Sequence, residues 1–168
     1  MIMRREFITL LGCAAAAAWP LAVRGQQGER VRRIGVLMPW DENDPFWKTR
    51  LSVFTQALAD LGWTVGRNVR MDLRWTAGGD GNRIRALAQE LVGSQPDIIV
   101  TNSTPAAAAV QRETQTIPIV FANVSDPVAS GLVPRLNRPG GNITGFANYE
   151  TPMVGKWLEL LSEIARGP

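Results

Sequence analysis

From Arg33 onward the chain alternates between two hydrophobic periods. Arg33–Met38 (RIGVLM) is a short, branched apolar run stopped by Pro39, which predicts a buried strand. Asp44-Pro45 then opens a helix, with Asp at the N-cap and Pro at the first helical position. Trp47, Leu51, Phe54, Leu58 and Leu61 recur at helical spacing, and Gly62 ends the segment as a C-cap. Val69–Trp75 alternates strictly, as a strand with one polar face near a sheet edge does. Beyond the Gly78–Gly81 loop, Asp80 caps a second helix carrying Ile84, Leu87, Leu91 and Val92. Pro96–Thr101 predicts a further buried strand, and Thr104-Pro105 an alanine-rich helix to Glu113 with Thr104 as N-cap. Ile117–Ala122 (IPIVFA) reads as a fourth strand and Asn142–Ala147 as a fifth, after the Pro139-Gly140-Gly141 turn. Pro152–Ala165 closes the pattern as a helix with Met153, Trp157, Leu160, Leu161 and Ile164 on one face. Trp47, Trp63, Trp75 and Trp157 fall at packing positions.

Strands and helices alternating at this spacing predict an α/β fold: a parallel five-stranded sheet, right-handed crossovers and helices on both faces. In such a sheet the binding crevice lies outside the carboxyl ends of the strands, at the switch in strand order. The loops that reach it are Pro39–Asp44, Asn102–Thr104 and Asn123–Asp126.

The amino-terminal residues belong to neither period. Arg4 and Arg5 precede a largely apolar stretch from Phe7 to Val23, which leads to small residues and a polar start. That is the layout of an export signal over residues 1–25, cleaved after Gly25. Arg4-Arg5-Glu6-Phe7-Ile8 is also similar to the twin-arginine motif, so both the general and the twin-arginine routes stay open. Leu10-Leu11-Gly12-Cys13 resembles a lipobox, but Phe7–Gly12 is shorter than the usual ~7–15 apolar residues before such a site. A buried helix of the mature domain is disfavoured because the five-alanine run has no amphipathic period. The apolar stretch also falls short of the ~20 residues that span a bilayer. Membrane contact is therefore expected only through the leader or through lipidation at Cys13.

Composition changes this picture chiefly by exclusion. The 168 residues contain no histidine and one cysteine. That removes catalytic triads and Cys-His pairs, imidazole and thiolate metal cages, CxxC redox motifs and internal disulfides. The net charge of +3 suggests a nucleic-acid partner, yet Arg4, Arg5, Arg24 and Glu6 account for +2 of it. The remaining near-neutral chain has no basic stripe, and nucleic-acid binding is not expected. Neither GxxxxGK[ST] nor a post-strand GxGxxG is present, so no nucleotide cofactor is expected.

The crevice loops suit a small zwitterion. Ser103 and Thr104, at the start of a helix, offer hydroxyls and backbone N–H groups to a carboxylate. Asp126 can accept charge-assisted hydrogen bonds from an ammonium, and Trp40 presents an aromatic face. Each also has a plain structural reading: Thr104 and Asp126 as helix caps, Trp40 as a surface-packed ring.

VRRIGVLMPW, ALADLGWTVGRNVRMDLRW, QPDIIVTNSTPAAAAV, IPIVFANVSDPVASGLV, RPGGNITGF and GKWLELLSEIA follow one another from about Val31 to Pro168. In that order and spacing they resemble the ABC-transporter substrate-binding proteins, of the type that includes tryptophan- and tyrosine-binding members. The resemblance implies a type I periplasmic-binding-protein fold, two α/β lobes closing on a ligand, and no enzymatic activity. It implies a periplasmic location and an inner-membrane ABC permease as partner. It also places Trp40, Asn102, Ser103, Thr104, Asn123 and Asp126 on the first lobe's side of the cleft. Residues 26–148 then make the first lobe, including a first crossing strand, and 149–168 the first helix of a missing second lobe. On that reading the chain is truncated and its binding impaired. A flavodoxin-like nucleotide-binding enzyme and a sensor lobe share the wound topology and stand as the alternatives.

Overall fold

In the computed structural model, residues 30–78, 80–149 and 151–166 are described; the leader and Cys13 lie outside them. Five strands form one wholly parallel sheet: β1 (Arg32–Met38), β2 (Val69–Trp75), β3 (Ile98–Asn102), β4 (Ile119–Ser125) and β5 (Ile143–Tyr149). Their order is β2-β1-β3-β4-β5, so the chain reverses its direction of winding between β1 and β3. The connecting helices are α1 (Pro45–Asp60), α2 (Gly81–Gly93) and α3 (Thr104–Glu113), and α4 (Thr151–Arg166) follows β5.

From Ile34 onward β1 carries no polar side chain, because it is covered on both faces. Ile34, Val36 and Met38 pack with Trp47 of α1 and Val69 of β2. Leu37 points the other way, into the larger core with Leu91 of α2, Val110 of α3, Ile99, Ile119 and Phe121. Gly35 permits the close approach of α2, since a Cβ there would lie 3.0 Å from Leu91 Cδ1 and Cγ. β2 is an edge strand, as its alternation predicts. Its Asp72 accepts from Arg33 Nη2 of β1 at 2.6 Å and from Arg70 Nε at 3.1 Å. The hydrogen bond and charge of Arg33, with Arg70 adding to them, hold the Asp72 carboxyl below its ordinary pKa against the opposing effect of burial.

Helix starts follow the sequence signals with one change. Asp44 and Asp80 cap α1 and α2, accepting from Phe46 N and Asn82 N. The cap of α3 is Ser103 rather than Thr104: its φ of 129° is non-helical and its Oγ accepts from Ala106 N. Thr104 is already helical, which turns its hydroxyl toward β4.

The other differences arise from tertiary pairing and cover. β4 does not stop at Ala122 but runs on to Ser125, because β5 pairs with it as far as Ser125–Tyr149. The register shifts between Phe121 and Val124, around Asn123. Along α1 only Trp47 is buried; Leu51, Phe54 and Leu58 are half-buried and Leu61 is exposed. Trp75 is half-buried, while Trp63 and Trp157 are exposed rather than in a core.

Candidate functional site

The switch between β1 and β3 sets Trp40, after β1, beside the strand that leads to Asn102, Ser103 and Thr104. The next strand, β4, ends in Asn123, Ser125 and then Asp126. Parallel registry delivers these residues to one edge of the sheet, since Asn102 is the partner of Ala122.

Backbone conformation marks the same edge. Among the described residues five non-glycines have positive φ, and three of them are Ser103 (129°), Asn123 (53°) and Asp126 (40°). Left-handed conformations cost an ordinary residue on the order of 1 kcal/mol or more and concentrate at functional sites. Asn and Asp bear this best, through short side chains that bond locally.

A run of side-chain hydrogen bonds crosses three strands. Ser125 Oγ donates to Asn148 Oδ1 at 3.4 Å, Asn148 Nδ2 to Asn123 Oδ1 at 3.0 Å, and Asn123 Nδ2 to Asn102 Oδ1 at 3.3 Å. Each amide orients the next, so the run points the Asn102 amide as a donor along the edge. Sequence reading overlooked Asn148 because the fifth strand was expected to end at Ala147. Extending its alternation by one residue would have brought Asn148 to the carboxyl end with the others.

Thr104 Oγ1 accepts from Ser125 N at 3.3 Å, which ties the β3–α3 turn to the end of β4. Ser103 Oγ accepts from Ala106 N at 3.4 Å. Both hydroxyls keep a proton to donate. The backbone contributes less than expected, since Pro105 has no N–H and that of Ala106 is directed at Ser103. An anion here meets hydroxyls first. Asp126 Oδ1 accepts from Ala129 N at 2.9 Å, so the carboxylate holds the following turn.

Trp40 stands apart from these side-chain bonds. One of its faces is covered by Trp47, with ring centroids 3.7 Å apart and planes inclined by 18°. Phe46 meets Trp47 edge-on, and Arg50 lies 4.3 Å from the Phe46 ring centroid. Next to the Trp40 loop a cleft of about 300 Å³ is lined by Asp41, Glu42, Asn43, Arg74, Trp75 and Arg83, among others. A more apolar cleft of about 370 Å³ opens at the amino ends of the strands, between Ile34, Leu58, Trp63, Val69 and Ile98. Among the described residues no group of three His, Cys, Asp or Glu could hold a metal ion. No described helix is long and apolar enough to cross a membrane.

Residues 40–165 match the profile of the ABC transporter substrate binding protein family. The chain belongs to that family. The family's role is solute binding, not catalysis. A tyrosine-binding protein from Clostridioides difficile (strain R20291) is 37% identical over 111 residues, covering 66% of this chain and 31% of the relative. A Streptococcus pneumoniae ABC domain solved in complex with L-Trp superposes with a TM-score of 0.63 at 29% identity, over 69% of this chain and 38% of that one. A ligand-free, open substrate binding protein with adhesive properties from Clostridium difficile gives a TM-score of 0.67 at 33% identity, over 79% and 43%. This ABC substrate-binding chain thus spans from about a third to under half the length of these relatives. Its sheet is a lobe of that fold.

Proposed function

We propose that the chain is the first lobe of an extracytoplasmic solute-binding protein of an ABC importer, taking an amino acid or similar zwitterion. The observation that carries this reading is the concentration of left-handed Ser103, Asn123 and Asp126 on one sheet edge, joined by the Asn102–Asn123–Asn148 bonds. The names of the tyrosine-binding relative and the L-Trp complex support the ligand class.

In the proposed site the Ser103 and Thr104 hydroxyls donate to the ligand carboxylate and Asp126 accepts from its ammonium. Asn102 and Asn123 line the wall between them, held by Asn148. The face of Trp40 opposite Trp47 is offered to an aromatic side chain. Residues 1–25 direct export by the general or twin-arginine route, with Cys13 the lipidation position if the protein is anchored. A permease in the inner membrane receives the solute. α4 begins the second lobe, whose wall opposite the first completes the burial of the ligand.

Calorimetry with a panel of amino acids, including L-Trp and L-Tyr, tests this. The chain is compared with a chimera in which a second lobe from a relative follows α4. The chimera should bind, and Asp126→Asn should weaken it by roughly tenfold, about one charge-assisted hydrogen bond. A folded chimera that binds none of the panel sinks the ligand class. Unchanged affinity in the variant removes Asp126 from the site.

A further inference from the structure

Two irregularities of opposite sense in the β4–β5 pairing bring the asparagines of the candidate edge together. Phe121 pairs with Gly145 and Val124 with Ala147, so β4 uses two residues, Ala122 and Asn123, where β5 uses one. Val124 and Ser125 are adjacent, yet their partners Ala147 and Tyr149 enclose Asn148, so β5 then inserts a residue of its own. Ala122 stays in register with Asn102 of β3, which leaves Asn123, at a φ of 53°, as the bulged residue of β4. The two bulged residues are bonded to each other, Asn148 Nδ2 donating to Asn123 Oδ1 at 3.0 Å. A bulge disrupts the ladder locally and re-aims a side chain, which is why bulges gather beside functional sites.

The bonds that run from Ser125 through these asparagines to Asn102 all point the same way. A serine hydroxyl has one proton, and Ser125 gives it to Asn148 Oδ1. Asn148 can then offer only its nitrogen to Asn123, and Asn123 its nitrogen to Asn102 Oδ1. The group left over at the far end is a donor: among the described residues Asn102 Nδ2 gives its protons to nothing.

On the reading of this edge as a solute site, we propose that Ser125 and Asn148 are positioning residues that fix Asn102 as a donor to the solute's carboxylate. The carboxylate then meets three consecutive residues, the Asn102 amide and the Ser103 and Thr104 hydroxyls, where the N-terminal dipole of α3 also favours an anion. The ammonium is left to Asp126. A run of the opposite polarity, ending with Asn148 Nδ2 donating to Ser125 Oγ, would present Asn102 Oδ1 and draw the ammonium there instead. The edge therefore selects carboxylic acids, and an amine lacking a carboxylate is no partner for Asn102.

Nitrogen-15 NMR of the 168-residue chain is the test, because side-chain amides report polarity directly. Without ligand, the Asn102 Nδ2 protons should exchange with water several-fold faster than those of Asn123 and Asn148. Slow exchange at Asn102 means the reversed run and overturns the proposal. At roughly 10 mM of each probe, 3-indolepropionate (carboxylate, no ammonium) and L-Trp should shift Asn102 Nδ2, and tryptamine (ammonium, no carboxylate) should not. Ser125→Ala should weaken the response to the acid roughly threefold, while Ser125→Thr, which keeps the hydroxyl, should stay within about 1.5-fold of the parent. Unchanged backbone amide spectra show that both variants keep the fold. Equal responses from the two variants remove the positioning role. A shift of Asn102 by tryptamine, or an acid that moves Ala129 but not Asn102, overturns the carboxylate assignment and leaves the solute site standing. Probes that move no residue of the edge overturn both.

Discussion

Trp40 lies flat on Trp47, their ring centroids 3.7 Å apart, although one is in the loop after β1 and the other in the first turns of α1. The buried ring of Trp47 is the anchor, and Trp40 is the face laid over it. The two residues should therefore separate in their effects. Trp47→Ala removes a core aromatic and should cost about 3–5 kcal/mol of stability. Trp40→Ala loses mainly the stacking contact and should cost about 1 kcal/mol. Urea denaturation of both variants decides the order, and equal losses would contradict it.

Gly145 of β5 is hemmed in by its β4 partner. A Cβ there would overlap the Phe121 carbonyl oxygen and its ring, and Phe121 is fully packed in the larger core. Backbone cannot swing aside as a flexible side chain can. Gly145→Ala should cost about 3 kcal/mol, the upper range for overpacking. Gly155→Ala, on an open face of α4, should be neutral or slightly stabilising because alanine favours helix. Thermal denaturation of the two variants side by side checks the contrast.

The Arg33–Asp72 pair makes stability depend on acid. The folded Asp72 pKa lies below its ordinary value of 3.8, chiefly through the Arg33 hydrogen bond. Its contribution is present above the unfolded pKa, where Asp72 is ionised in both states. It disappears as pH falls through the lower folded pKa. The wild-type Tm should consequently drop more between pH 6 and pH 3 than that of Asp72→Asn. Parallel Tm curves for the two proteins would show that the pair carries no linkage.

The turn-holding bond of Asp126 can be tested apart from the ligand contact proposed for it. Its Oδ1 holds the turn through Ala129 N, a job that Asn can also do at a φ of 40°. Asp126→Asn should leave stability within about 0.5 kcal/mol, whereas Asp126→Ala should lose about 1 kcal/mol with the turn bond. Chemical denaturation of the lobe reads this without any ligand. A Asp126→Asn variant as unstable as Asp126→Ala would mean that charge, not the cap, matters to the fold.

Much of the fold was legible because local chemistry agreed with its global use. Pro45 after Asp44 and the strict alternation of Val69–Trp75 each named their element without reference to neighbours. The candidate site was legible only as far as the carboxyl-edge rule reaches. That rule brings Ser103, Asn123 and Asp126 to one edge but could not see that Trp40 has a face taken by Trp47, nor that Asn148 supports Asn123. Both facts depend on which strand lies beside which, and hydrophobic period is silent about that.

Periodicity, caps and the order of motifs along the chain by themselves determined an α/β lobe, its helix starts near Asp44 and Asp80, and its family resemblance. They are properties of residues close together in sequence, where sterics and local hydrogen bonding dominate. The tertiary structure decided the end of β4, the cap at Ser103, and the left-handed backbone and amide bonds along the candidate edge. Those follow from strand registry and from which faces find a partner, and such long-range packing energies are written in no single stretch of the chain.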